Sequence, residues 1–304
     1  MISELFEIYK RNFPYIVRNE ATVLAILKNK DNKIIDKRNE ENKLIGVSII
    51  NENAIILLCV DKEYRNKGIG TELLANSEAV IKKNGYDEAV VGDGFDYLMP
   101  GVPTGKRYFD SQNEDLYHGI NDEASTFFAQ RGYVHSWDCN CFDMRLRLNE
   151  FNSEKQSIGD TIDGIRYRWA AITDLDGICQ CTNDAHEDFT KWYRDENLYN
   201  ESSSRKVLIA VNGDEVAGTL IVSTEEEKNM GSVGCTAVKH ACRGKHIALN
   251  LIILGTRYLK ETGLKEAFLG YTYSGLDYLY GCAGYKICIY YMMAKKDLSG
   301  NKSK

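Results

Sequence analysis

At 304 residues, with 43% hydrophobic and 27% charged side chains, the chain has the makeup of a folded protein of one large or two ordinary domains, which excludes a disordered polypeptide. Its net charge of −6 and pI near 5.5 argue against a nucleic acid or an anionic membrane as the main partner. No stretch approaches a membrane-spanning apolar run, and "MISELFEIYKRNFPYIV" lacks the features of a signal peptide, so a cytoplasmic location is expected. The nine cysteines are scattered and are expected as reduced thiols; the five dispersed histidines suggest no metal site.

In chain order, "KLIGVSIINENAIILLCVD" predicts two antiparallel strands joined at Asn-Glu-Asn. A tight turn, "RNKGIG", follows. Leu73, Leu74, Ser77, Val80 and Ile81 then recur at helical spacing, with Gly85 as the stop. "EAVVG" predicts a short buried strand, "EASTFFAQRG" a helix ending at Gly132, and "CNCFDMRLRL" another strand. After a polar connector, "GIRYRWA" alternates like a strand and "VLIAVNGDEVAGTLIVS" like a hairpin. Then come a helix ("ALNLIILGTRYLKETG"), a strand ("EAFLG"), a helix ("GLDYLYGCAG") and a last strand ("KICIYYMMA"). The fold class is α+β with mixed sheets.

The second half repeats the first. Arg65 and Arg243, Lys67 and Lys245, Ile69 and Ile247, Gly85 and Gly263, Glu88 and Glu266, Ala89 and Ala267, and Gly92 and Gly270 each stand 178 positions apart. "FFAQRGY" matches "LYGCAGY" at an offset of 152, so the first copy carries about 26 extra residues, at 93–120. The expected organisation is a first domain at 1–150, a linker at 151–163 and a second domain at 164–304, with the first copy lacking one opening strand.

A strand, a glycine turn and a helix start together hold phosphate well. The first N–H groups of a helix lack internal partners, and the helix dipole favours negative charge there. Gly68 and Gly70 let backbone approach the ligand, while Arg65 and Lys67 add charge. "VDKEYRNKGIGTELL" resembles the acyl-CoA signature of the GNAT superfamily of N-acetyltransferases, R/Q-x-x-G-x-G/A. "NDEASTFFAQRGY" resembles that superfamily's later motif, N-x-x-A-x-x-[LF]-Y-x-x-x-G-[FY].

The resemblance implies two tandem GNAT-type domains, each a mostly antiparallel mixed sheet flanked by helices, with acetyl-CoA as the acyl donor. It implies that Leu58, Cys59 and Val60 offer strand backbone to the pantetheine arm. Arg65, Asn66, Lys67, Gly68, Ile69, Gly70 and Thr71 would hold the pyrophosphate, and Asn121 would sit near the pantetheine or thiol end. Val238, Arg243, Gly244, Lys245 and Ala248 are the matching residues of the second copy, where His246 replaces Gly68. The family's thiolate-protonating tyrosine matches Phe128 in the first copy and Tyr280 in the second.

The intact turn and the insert, expected as a substrate wall, favour the first copy as the main cofactor site. Asp93 is its candidate base or amine-binding group, with Tyr97 and His118 as weaker candidates. The expected reaction is acetyl transfer to a small-molecule or peptide amine by direct attack in a ternary complex. The alternatives are catalysis in the second copy through Tyr280, or a non-catalytic acyl-CoA-binding protein.

Overall fold

The computed structural model describes residues 1–16, 18–92, 98–108, 122–152, 161–273 and 275–300. The first repeat opens with α1 (Ile2–Asn12) and α2 (Glu20–Leu27), then β1 (Lys33–Arg38), β2 (Leu44–Asn51) and β3 (Ala54–Val60). Next come α3 (Ile69–Lys83), β4 (Glu88–Val91), β5 (Val102–Thr104), α4 (Glu123–Ala129), β6 (Val134–His135) and β7 (Cys141–Arg147). The second repeat runs β8 (Thr161–Ile162), β9 (Ile165–Trp169), α5 (Leu175–Ala185), α6 (Thr190–Tyr193), β10 (Arg205–Asn212), β11 (Glu215–Glu225) and β12 (Met230–Val238). It ends with α7 (Ile247–Glu261), β13 (Glu266–Tyr273), α8 (Leu276–Cys282), β14 (Lys286–Met292) and β15 (Ala294–Asp297).

The expected hairpins form, as β2–β3 and β10–β11. The extra opening strand of the second repeat is β9, which pairs with β10, whereas helices precede β1 in the first. β1 itself, "KIIDKR", escaped the sequence reading because its charged residues hide the alternation. Charges of that kind suit a strand at a sheet edge, and β1 ends its sheet.

The two compact units are not contiguous in sequence. Residues 1–108, 122–141 and 289–300 make the first, and residues 142–288 the second. The expected division at 1–150 and 164–304 therefore needs correction at both ends. In the first unit, β15 lies between β4 and β6, in the order β1-β2-β3-β4-β15-β6. In the second, β7 lies between β13 and β14. Each repeat thus gives its last strand to the sheet of the other.

Buried side chains from α1, α2, β2, β3 and α3 form the first core, among them Leu5, Ile8, Ile49, Leu57 and Leu74. Arg11, at the end of α1, donates from Nε and Nη2 to Asp61 at 2.8 and 2.7 Å, and Asn12 Nδ2 donates to the same carboxylate at 2.8 Å. Burial pushes the Asp61 carboxyl up, but these donors outweigh it and hold it below the usual carboxylate range. The clamp ties α1 to the start of the glycine turn. Arg11 is 38% exposed, so solvent screens the pair, and Arg11→Met is expected to cost about 1–2 kcal/mol. A depressed carboxylate stabilises the fold above its unfolded pKa of about 4, and that contribution is lost as pH falls through the folded value. Acid melts should therefore show a shallower stability slope in the variant than in the wild type.

Candidate functional site

Both repeats build the same junction from different residues. In the first, Asn66 (φ 60°) and Gly68 (φ 83°) are left-handed and Gly68 caps α3. In the second, Gly244 (φ 79°) and His246 (φ 55°) take those two positions and His246 caps α7. A Cβ added at Gly68 meets nothing within 4 Å, so a side chain fits there sterically. Outside glycine the conformation costs roughly 1–2 kcal/mol. The second turn therefore keeps its shape despite the altered signature, and its helix start still presents free N–H groups.

Beside each junction the sheet opens. β3 pairs in parallel with β4 only at Ala54↔Val90, and β12 with β13 only at Met230↔Glu266 and Gly231↔Ala267. Beyond those pairs the strands diverge. Strand backbone in such a gap can pair with an extended ligand running alongside it.

The repeats differ in what fills the region. In the first, Arg65 folds back, with Nε donating to Val60 O at 2.9 Å and Nη2 to Asn12 Oδ1 at 3.1 Å. Arg131 Nη2 donates to Thr71 Oγ1 at 2.7 Å, and its guanidinium lies 3.9 Å from the Phe127 ring centre. The Phe127 ring would lie 3.5 Å from a Cβ on Gly70, so it covers the first turn of α3. Lys67 lies over the Tyr64 ring. Leu98 and Met99 are buried, and both their N–H groups donate to Ile56 O on β3, beyond the last β3–β4 pair. Leu98 and Met99 of the insert thus pack into the core, while its residues 93–97 and 109–120 lie outside the described residues.

In the second repeat Leu279 and Ala283 stand where the first has Phe127 and Arg131. A cleft of about 290 Å³ lies at the turn, lined by Val238, Arg243, Gly244, His246 and Ala248, with Tyr278 and Cys282 of α8 opposite. The Arg243 side chain is exposed and makes no hydrogen bond or ion pair among the described residues. An anion at the helix start would meet both its charge and the free N–H groups. Sequence reading named Val238, Arg243, Gly244 and Ala248 but missed Tyr278 and Cys282. Lys245 lies in the turn and is exposed.

Tyr280 does not line that cleft. It is buried in α8, with Oη 3.4 Å from Thr236 Oγ1 on the diverging part of β12. Burial pushes its hydroxyl up to about 12, so it is a neutral proton donor at ordinary pH. In the first repeat Phe128 occupies the matching place against Tyr133. Leu58, Cys59 and Val60 end β3, and Asn66, Ile69, Gly70 and Thr71 lie in the turn and the start of α3 that follow. Burial drives the Cys59 thiol up to about 12, which leaves it unreactive. Asp93, Tyr97, His118 and Asn121 lie outside the described residues.

A family model described as an acetyltransferase (GNAT) domain matches residues 9–92, and one for the acetyltransferase (GNAT) family matches residues 169–276. Among solved structures, a tandem GNAT protein from the clavulanic acid biosynthesis pathway is 13% identical, with TM-score 0.69 over 99% of this chain and 96% of that one. A GCN5-related N-acetyltransferase from Sphaerobacter thermophilus is 16% identical, with TM-score 0.64 over 98% and 91%. A glucosamine N-acetyltransferase region of a fungal multi-domain β-N-acetylglucosaminidase is 17% identical, with TM-score 0.70 over 97% of this chain. The chain spans only 36% of that protein's length. At these identities the likeness concerns the fold. No curated protein sequence matches the chain. Among the described residues no helix is long and apolar enough to cross a membrane.

Proposed function

The chain belongs to the GNAT acetyltransferase family, with two copies of the domain in tandem, and on that premise we propose that it moves an acetyl group from acetyl-CoA to an amine in its second copy. The observation that carries the choice of copy is the cleft at the start of α7, bordered by Arg243, whose side chain has no partner among the described residues. The matching arginine of the first copy is already bonded to Val60 and Asn12, and Phe127 covers the helix turn beside it. This reverses the preference drawn from the sequence, where the intact turn and the insert favoured the first copy. The first copy is read as a structural partner that kept the fold.

The donor supplies a thioester, an activated acyl group. In this reading Arg243 and the first N–H groups of α7 bind its pyrophosphate, and the free edge of β12 near Thr236–Val238 aligns its arm. The amine nitrogen forms its bond to the acyl carbon and the carbon–sulfur bond breaks. The Tyr280 hydroxyl gives its proton to the departing sulfur, and the nitrogen loses one to solvent.

Isothermal titration with acetyl-CoA tests the site. Arg243→Glu is expected to weaken binding about 30-fold or more, since a charge-assisted contact is lost and a repulsive one installed. Arg65→Glu is expected to stay within about twofold. Equal losses in both variants would count against a single site in the second copy. Binding without turnover on any amine would favour the non-catalytic reading.

A further inference from the structure

Both strands bordering the open gap of the second unit hold a non-glycine residue in the left-handed region, Cys235 on β12 (φ 51°) and Tyr271 on β13 (φ 56°). A buried side chain pins each one. Tyr193 Oη donates to Cys235 O at 2.5 Å, and Asp143 Oδ1 accepts from the Tyr271 N–H at 2.9 Å. Strained backbone of this kind persists only where its surroundings over-determine it, and it gathers at functional sites.

The Cys235 anchor leads directly toward the proposed chemistry. Ile221 pairs with Gly234 and Thr219 with Ala237, so Cys235 and Thr236 together oppose Leu220 in a β-bulge. Thr236, the second residue of that bulge, meets the Tyr280 hydroxyl. Tyr193 is itself held tightly: it is fully buried in α6, and its carbonyl accepts from Tyr199 Oη at 2.8 Å. Burial drives its phenol well above the usual range, so it remains an O–H donor.

The first repeat supplies the contrast. Its bulge, at Ile56 between the pairs Ile49↔Leu57 and Ile50↔Ile55, has its carbonyl taken by the backbone of Leu98 and Met99, and Phe128 stands in place of Tyr280. Among the described residues, the tyrosine anchor and the tyrosine acid occur together in one copy and are missing together from the other.

We infer that Tyr193 is a positioning residue for acyl transfer: its hydroxyl fixes the Cys235–Thr236 bulge so that Thr236 holds the Tyr280 hydroxyl in place. The inference rests on the proposed role of Tyr280. Tyr193→Phe keeps the ring and its packing and removes only the donor.

The test uses the full chain and follows CoA release from acetyl-CoA over a panel of primary amines, with hydrolysis as the readout where no amine reacts. Tyr193→Phe is expected to lower kcat about tenfold while KM for acetyl-CoA stays within about twofold. In a Tyr280→Phe background the same change should cost nothing further, because the two residues act through one group. Losses that multiply across the two backgrounds, or a kcat equal to wild type, overturn the inference while leaving Tyr280 as the acid. If Tyr280→Phe alone leaves kcat unchanged, the acid assignment fails and the inference falls with it. A matched titration with CoA separates this from misfolding, since a merely structural loss would weaken binding as well as turnover.

Discussion

Replacing Tyr280 with Phe is expected to lower kcat for acetyl transfer by about two orders of magnitude, the usual range for losing a positioned acid, with little change in acetyl-CoA affinity. The hydroxyl is buried beside Thr236, so the substitution removes one polar atom and leaves the ring packed against Tyr285. Phe at the matching position 128 of the first repeat shows that the fold accommodates the ring without the hydroxyl. The pH profile gives a second check. A general acid fails as pH rises through its pKa, and burial puts that of Tyr280 at about 12. No alkaline decline from this group should therefore appear in the wild type below about pH 11. A kcat for Tyr280→Phe equal to wild type would remove Tyr280 from the mechanism.

The duplicated turn was legible because a phosphate-holding junction constrains residue type closely. It needs positive charge beside the helix start, and Arg65, Lys67 and Ile69 recur as Arg243, Lys245 and Ile247 at one fixed offset. The consequence of exchanging Gly68 for His246 was not legible, since only backbone angles show that the second turn keeps its form. Arg65 reads as a phosphate ligand in sequence. Its bond to Asn12, 53 positions away in α1, belongs to tertiary packing that no local pattern reports. The bulk of Phe127 and Arg131 against Leu279 and Ala283 was visible in the aligned repeats. Its meaning depended on α4 lying over the start of α3, as the Phe127 ring beside Gly70 shows. Tyr193 carried no signal at all, because its role lies in one hydroxyl reaching a bulge 42 positions away.

Ending the chain after Met293 is expected to unfold the first unit selectively, although that unit's other strands lie far upstream. β15 is an interior strand there. It pairs with β4 from Ala294↔Val91 to Asp297↔Glu88, and with β6 at Ala294↔His135 and Lys295↔Val134. Leu298 N also donates to Asp87 O, and Lys296 Nζ meets the Glu78 carboxylate of α3 at 2.7 Å. Removing the strand leaves β4 and β6 with free edges and uncovers Ala89 and Val91, which are otherwise buried. At about 1 kcal/mol per lost backbone hydrogen bond, plus the newly wetted apolar surface, the loss is roughly 4–6 kcal/mol, most of a domain's stability. Hydrogen exchange should show the amides of β4 unprotected while those of β10 and β11 keep full-length protection. For the same reason a fragment of residues 1–150 should fail to form this sheet alone. It lacks β15 and carries β7, whose place is in the other sheet. A synthetic peptide covering residues 289–300 should restore protection at β4 in that fragment. Native protection there without the peptide would show that β7 can take the position of β15, and that the strand exchange between the repeats is not obligatory.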